Sequence, residues 1–231
     1  MSKTCILLGS GNSINEGVEL GLWEKIKEQN IWALNSIFKV MPYTPSHMVW
    51  IDRKFYRVEA NNLRDLYNKG TKLYTREHAI YNVRKEITQY HTIREPNIFE
   101  GELMKNCTSV FIGMSALVGV FGLSLVCKFE YEKIFLLGFD WGTPNMSITK
   151  THCYQDSFKI IRGQEESRDT KTEIICGGAG HPEIYLNSEG KEAMNQLKIF
   201  LKEPAKIYNV SLVSNIPFFQ KLSWEEFFKV L

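Results

Sequence analysis

Short apolar runs that end in glycine or polar residues recur along this chain. Thr4-Cys5-Ile6-Leu7-Leu8 opens into Gly9-Ser10-Gly11-Asn12-Ser13, and Ile134-Phe135-Leu136-Leu137 opens into Gly138-Phe139-Asp140-Trp141. Ile31-Trp32-Ala33-Leu34 ends at Asn35-Ser36, and His47-Met48-Val49-Trp50-Ile51 ends at Asp52-Arg53. Continuous apolar runs of this length predict strands buried on both faces. Further strands are expected at Lys72-Leu73-Tyr74-Thr75 and Val210-Ser211-Leu212-Val213. Helical spacing of apolar positions predicts helices over Val18 to Gln29, through Leu63 to Tyr67, and over Ser115 to Lys128, Ser188 to Lys202 and Trp224 to Val230. Strand and helix in alternation predict an α/β fold, a Rossmann-like and mostly parallel sheet flanked by helices. The stretch from Gly142 to Gly180 is polar and irregular. Within a single domain spanning residues 1–231, residues 142–187 are therefore expected to form an irregular lid.

Composition narrows the function classes. With 231 residues, 44% of them hydrophobic and 23% charged, the chain can bury a substantial core. A net charge of +2 is too small to announce a nucleic-acid binder, although nucleic acid as a substrate stays open. Cys5, Cys107, Cys127, Cys153 and Cys176 are an odd set without C-x-x-C spacing, so they suggest neither a zinc ribbon nor a disulfide framework. Buried thiols in a reducing cytoplasm are the expectation, and Met1-Ser2-Lys3 leads directly into a strand rather than a signal peptide. The apolar stretch Val110 to Cys127 is about as long as a membrane span. Its Gly113, Ser115, Gly119, Gly122 and Ser124 suit a helix packed closely on a sheet.

In open parallel sheets ligands bind beyond the carboxyl ends of the strands, so the polar strand ends are the candidate site. The loop Gly9 to Ser13 brings small residues, two hydroxyls and an amide, which together with backbone N–H groups suit a phosphate. It is not a full G-x-G-x-x-G and has no P-loop lysine. Asn35 and Asp52 could bond a ribose or a base, and Asp140 could cap a turn or hold ribose or Mg²⁺. His152, in Lys150-Thr151-His152-Cys153-Tyr154-Gln155-Asp156, and His181, after the flexible Gly177-Gly178-Ala179-Gly180, are the candidate general bases.

These motifs, in this order and spacing, resemble two related groups of enzymes. One is the bacterial sialyltransferases that make lipooligosaccharide caps (glycosyltransferase family 42), whose variant GT-A fold is a Rossmann-like sheet with a lid. The other is the DUF115 family, which takes in motility-accessory-factor-like glycosyltransferases, phage-encoded proteins and archaeal 6-hydroxymethylpterin pyrophosphokinases. The resemblance is carried by Leu7 to Ser13, Ala33-Leu34-Asn35, Gly113-Met114-Ser115, Leu136 to Asp140, and Ser214-Asn215-Ile216-Pro217-Phe218-Phe219. It implies a glycosyltransferase that uses a CMP-linked or other nucleotide-activated sugar, requires no cofactor, and relies on a histidine general base. Gly9, Ser10, Gly11, Asn12 and Ser13 would hold the donor nucleotide, and Asn35, Gly113, Ser115, Gly138 and Asp140 would surround its phosphate, ribose and base. Gly180-His181 matches the lid histidine of the sialyltransferases, whereas Thr151-His152 matches a Thr-His motif of the phage-type proteins. The acceptor would be a glycan, a protein or modified DNA, with room for peripheral association with a membrane. Asp52 stands where the sialyltransferases carry asparagine. It leans toward a rival reading, a Mg-dependent pyrophosphokinase or phosphoryl transferase with Asp52 and Asp140 on the metal. A third reading is a nucleotide-binding module without catalysis.

Overall fold

The computed structural model describes residues 4–76, 91–93, 117–129, 131–142, 152–154, 156–162, 171, 173–176 and 188–231. In chain order the elements are β1 (Thr4–Leu8), α1 (Ile14–Glu19), α2 (Leu22–Ile26), β2 (Asn30–Leu34), β3 (His47–Trp50), α3 (Arg53–Asn68), β4 (Lys72–Arg76) and β5 (His91–Ile93). They continue with α4 (Val118–Val126), β6 (Lys133–Leu137), β7 (Lys159–Arg162), β8 (Glu173–Cys176), α5 (Ser188–Leu197), β9 (Lys206–Val210), β10 (Gln220–Lys221) and α6 (Trp224–Val230). Among the described residues, eight strands form one sheet in the order β10-β9-β6-β1-β2-β3-β4-β5, and every pairing in it is parallel. β7 and β8 form a separate parallel pair inside the segment expected to be a lid.

Alternation along each strand divides the core into two layers. Ile6, Leu8, Ile31, Ala33, Met48, Trp50, Phe135 and Leu137 face the side covered by Ile14, Leu22, Ile26, Phe55, Leu63, Trp224 and Phe227 of α1, α2, α3 and α6. Cys5, Leu7, Trp32, Leu34, Val49, Ile134 and Leu136 face Val120, Phe121, Leu123, Ala193 and Leu197 of α4 and α5. Both faces are thus buried, which is why the central strands read as unbroken apolar runs. α4 belongs to the second layer, and no helix among the described residues is long and apolar enough to cross a membrane.

Several boundaries differ from the sequence reading, among them α3, which runs over Arg53–Asn68 rather than Leu63 to Tyr67, and α5, which ends at Leu197 rather than Lys202. The helix expected over Val18 to Gln29 starts earlier, at Ile14, and is broken in two by Gly21, whose φ of +83° belongs to the left-handed region. The α4 helix is shorter than Ser115 to Lys128, and Ser115 lies outside the described residues. The strand expected at Val210 to Val213 is instead Lys206–Val210. Asn209 is fully buried in it while Leu212 and Val213 are 63% and 57% exposed, so local hydropathy pointed to the wrong residues.

A buried cation ties the strand ends to the β7–β8 pair. A 3-10 turn, Asn35–Lys39, follows β2 directly. At its end, the Lys39 ammonium pairs with Glu59 of α3, with the two side chains only 6% and 2% exposed. It also donates to the Glu173 carbonyl oxygen of β8 at 3.3 Å and lies 5.8 Å from the Phe158 ring. Lys39→Met should cost about 3 to 5 kcal/mol by leaving Glu59 uncompensated, and adding Glu59→Leu should recover much of that loss. Urea unfolding of the single and double variants reads both outcomes.

Candidate functional site

Strand order reverses between β1 and β6: the chain runs outward from β1 through β2 and β3 on one side, and from β6 to β9 on the other. Such a switch point opens a crevice at the carboxyl ends of the two strands, where loops leave in opposite directions. Both glycine turns emerge there. The Gly9 N–H donates to the Leu137 carbonyl oxygen at 2.8 Å, and the Gly11 N–H to that of Gly138 at 2.9 Å. The fit leaves no room for side chains, because a Cβ on Gly11 would stand 2.6 Å from the Gly138 oxygen and from Asp140 Oδ2. Gly138 itself has φ of +68°, the conformation that turns the chain back toward β1.

Asp140 closes this junction. Its Oδ2 accepts from the Ser13 N–H at 2.8 Å and its Oδ1 from the Ser13 hydroxyl, while the Ser211 hydroxyl donates to Oδ1 at 2.9 Å. The Asn12 N–H is a further donor to the carboxylate. Burial pushes the Asp140 carboxyl above the ordinary carboxylate range, and the hydrogen bonds from Ser13, Ser211 and Asn12 draw it part of the way back. The start of α1, expected to receive a phosphate, is therefore filled by an anion of the chain itself. The Asn12 side chain is likewise turned onto the helix, where its Oδ1 accepts from Asn15 Nδ2 at 3.1 Å.

The turn after β9 grips the same segment from the other side. Ser214 Oγ and Asn209 Nδ2 both donate to the Phe139 carbonyl oxygen, at 2.7 and 3.2 Å. The Asn215 N–H donates to the Asp140 carbonyl oxygen at 2.9 Å, and Asn215 Nδ2 donates to that of Trp141 at 3.0 Å. Asn209 and Ser211 were not singled out in the sequence, whereas Ser214 and Asn215 carried part of the resemblance. The available signal was polar residues inside and on either side of an expected strand.

His152 reaches the cleft from the polar segment. Gly11 and His152 form an antiparallel bridge, and the Cys153 N–H donates to the Ser10 carbonyl oxygen at 2.9 Å. The His152 Nδ1 lies 3.0 Å from Ser10 Oγ, and the buried Tyr154 hydroxyl donates to that same oxygen at 3.4 Å. The His152 and Tyr154 rings stack at 5.1 Å.

The resulting cleft is lined by Gly9, Ser10 and Gly11 of the first turn, Leu34 and Asn35 of the β2 end, Leu117 to Gly119 at the start of α4, Gly138 to Gly142, and His152. Among the described residues only two without glycine's freedom have a left-handed backbone, Asn35 at φ +49° and Trp141 at φ +59°. Both are in the cleft wall. Each also holds a buried polar atom without a hydrogen-bond partner, Asn35 Oδ1 and Trp141 Nε1. Strain and unmet hydrogen bonding at one place are the marks of a ligand site. Trp141 had no signal in the sequence beyond its position after Asp140.

Of the residues anticipated from sequence, Gly9, Ser10, Gly11, Asn35, Gly138, Asp140 and His152 line this cleft, and Asn12 and Ser13 support it through Asp140. Gly113, Ser115 and His181 lie outside the described residues. Asp52 does not join Asp140. It precedes α3 at the end of β3, three strands from β6, or roughly 14 Å at the usual spacing. Two ligands of one ion stand within about 5 Å of each other, and both Asp140 oxygens already accept hydrogen bonds, so this pair does not fit a shared Mg²⁺. Among the described residues no group of three or more His, Cys, Asp or Glu could hold a metal ion.

The sequence matches no protein-family model, and no curated protein is significantly similar to it. Solved structures do share its fold. The MAf glycosyltransferase from Magnetospirillum magneticum superposes over 97% of this chain with a TM-score of 0.55 at 13% identity. This chain spans 34% of that protein's length. The sialyltransferase CstII from Campylobacter jejuni superposes over 95% of this chain and 84% of its own, with a TM-score of 0.51 at 10% identity. At these identities the likeness establishes the α/β Rossmann-like, GT-A-like fold.

Two outcomes follow from the Asp140 junction. Asp140→Ala strands several buried donors, each worth about 1 to 3 kcal/mol, and should destabilise the protein by roughly 3 to 5 kcal/mol in chemical denaturation. Asp140→Asn should recover part of that loss, because its oxygen can keep the Ser13 N–H while its NH₂ donates to the Ser13 and Ser211 hydroxyls, which can turn to accept. The second outcome concerns pH. A carboxyl raised on folding binds its proton more tightly in the folded state. Its stabilising contribution is therefore present below the ordinary carboxylate range and lost as pH rises through the raised value. The stability of wild type relative to Asp140→Asn should fall across that window; a rising difference would contradict the assignment.

Proposed function

We propose that this chain is a glycosyltransferase that takes its sugar from a nucleotide-activated donor bound in the cleft at the β1–β6 switch point. The observation that carries this is the pair Asn35 and Trp141, each strained, each with a buried and unmet polar atom, each in the cleft wall. One offers an acceptor and the other a donor, which suits the amide edge of a base or the hydroxyls of a ribose. Support also comes from the fold shared with two glycosyltransferases, of which CstII is described in complex with cytidine-5'-monophosphate.

Because the Asn12 and Ser13 N–H groups at the entry to α1 are engaged by Asp140, the phosphate goes to the start of α4, where Leu117, Val118 and Gly119 line the cleft. The positive end of that nine-residue helix would stabilise the charge left on the departing phosphate. The acceptor, a glycan, protein or modified DNA, supplies a hydroxyl, and a histidine takes its proton, His152 or His181 by the sequence reading. Residues 142–187, which include His152 and the β7–β8 pair, would act as the lid that excludes water.

Asn35→Gly tests the reading cleanly, because glycine accepts the left-handed backbone while removing the amide. Thermal-shift titrations with CMP, UDP, GDP, ADP and their sugar conjugates should reveal one nucleotide class that stabilises wild type. At about 100 times its dissociation constant the gain is roughly 2.7 kcal/mol. Asn35→Gly should keep the fold and weaken that binding about tenfold. If no nucleotide shifts the wild type, the donor site is wrong. Binding without hydrolysis or transfer of any nucleotide sugar would leave a non-catalytic nucleotide module.

A further inference from the structure

Resting on the glycosyltransferase reading above, we propose that a second groove, on the α3 side of the turn Asn35–Lys39, holds the far end of a glycan acceptor whose near end sits at the donor cleft. The groove measures about 550 Å³, against about 120 Å³ for the cleft. The two share a wall, because Asn35 lines the cleft while Phe38 and Lys39 of the same turn line the groove. Three residues of 3-10 helix rise roughly 6 Å, so the two sites adjoin within reach of one extended acceptor.

The base of the groove is the buried Lys39–Glu59 pair, to which Asn62 Nδ2 adds a bond to Glu59 at 2.7 Å. The same ammonium lies 5.8 Å from the Phe158 ring and donates to the Glu173 carbonyl oxygen, which holds the wall beside β7 and β8 against the domain. On the other side the Tyr43 hydroxyl donates to the Trp23 carbonyl oxygen at 3.2 Å. The groove is therefore preformed, as ligand sites usually are.

Its chemistry separates the acceptor classes. Phe38, Tyr43 and Phe158 bring aromatic rings, and Asn62, Asp65 and Lys69 bring an amide, a carboxylate and an ammonium. A sugar ring offers an apolar C–H face to the first set and hydroxyls, each both donor and acceptor, to the second. A nucleic acid needs a row of cations for its phosphates. Here Glu59 compensates Lys39 and Asp65 stands with Lys69 and Lys171, which leaves a formal charge of +1. Peptides are captured at a strand edge or, as amphipathic helices, in a continuous apolar groove. None of the described lining residues lies in a strand, and the polar groups interrupt the apolar surface.

A glycan array that also carries peptides and single-stranded oligonucleotides, probed with the whole fluorescently labelled chain, tests this. Wild type should bind a set of related oligosaccharides. The double variant Asp65→Ala, Lys69→Ala alters two exposed side chains of α3 and should bind them about tenfold more weakly, with its fold intact by circular dichroism. Binding to no glycan overturns the proposal, as does glycan binding that the double variant keeps, or capture of a peptide or oligonucleotide that it loses. Transfer kinetics with the glycan so identified give a second readout. The double variant should raise KM for that oligosaccharide about tenfold more than KM for its terminal monosaccharide; an equal change in both overturns the far-end assignment. If wild type transfers nothing from any nucleotide sugar, the glycosyltransferase reading fails, while the array still decides whether the groove binds glycan.

Discussion

The whole site depends on one buried carboxylate. Asp140 stands at the end of the central strand β6 and accepts from the start of α1 and from Ser211 beyond β9. Three crossovers are thereby pinned to one side chain at the point where strand order reverses. Removing a charge from water is costly, and the raised Asp140 carboxyl reflects that cost. The converging donors offset it only if all are in position together. The carboxylate thus acts as a gauge of assembly: a loop out of register leaves an uncompensated group in the core.

This reading changes the meaning of the first glycine turn. In a phosphate-binding turn the small residues make space for an external anion at a helix N-terminus. Here the small residues make space for the carbonyl of Gly138 and the carboxylate of Asp140, so the same sequence pattern serves an internal anion. Gly9 and Gly11 still line the cleft, but their N–H groups point into the junction beneath it. In the proposed reading an external phosphate is met instead by the start of α4, which packs on the opposite face of the sheet.

Much of the frame was legible in the sequence because the central strands are buried on both faces and hydropathy registers that directly. The ends of β1, β2 and β6 were placed correctly, and with them the position of the cleft. What was not legible depended on partners distant in the chain. Asp140 was recognised as a candidate ligand, but that its oxygens turn inward is decided by Ser13 and Ser211, on other crossovers 127 and 71 residues away. The last long strand was misplaced because Asn209 is buried by bonding Phe139 and Ser214, whereas Leu212 and Val213, apolar by composition, are left outside. Gly21 broke a helix whose apolar spacing looked continuous, since spacing carries no information about φ. The left-handed backbone at Trp141 is of the same kind, an angle imposed by the fold on a residue whose side chain does not announce it, whereas asparagine, as at Asn35, is a residue type that tolerates that region.

That strain also says why the cleft is built on strand ends rather than on a flexible loop. A non-glycine residue in the left-handed region costs about 1 to 3 kcal/mol and persists only where its surroundings over-determine it. Asn35 follows directly from β2 and begins the turn that Lys39 anchors on Glu59, so both of its flanks are fixed. Trp141 has its own carbonyl held by Asn215 and follows the clamped Asp140. The two residues thus adjoin two buried polar assemblies at the carboxyl ends of the central strands, the Lys39 ion pair and the Asp140 junction. A flexible segment would relax, letting Asn35 Oδ1 and Trp141 Nε1 find partners within the chain. Rigid flanks keep both atoms without a partner in the chain, so in the proposed site a ligand that bonds them would recover part of their desolvation cost as affinity.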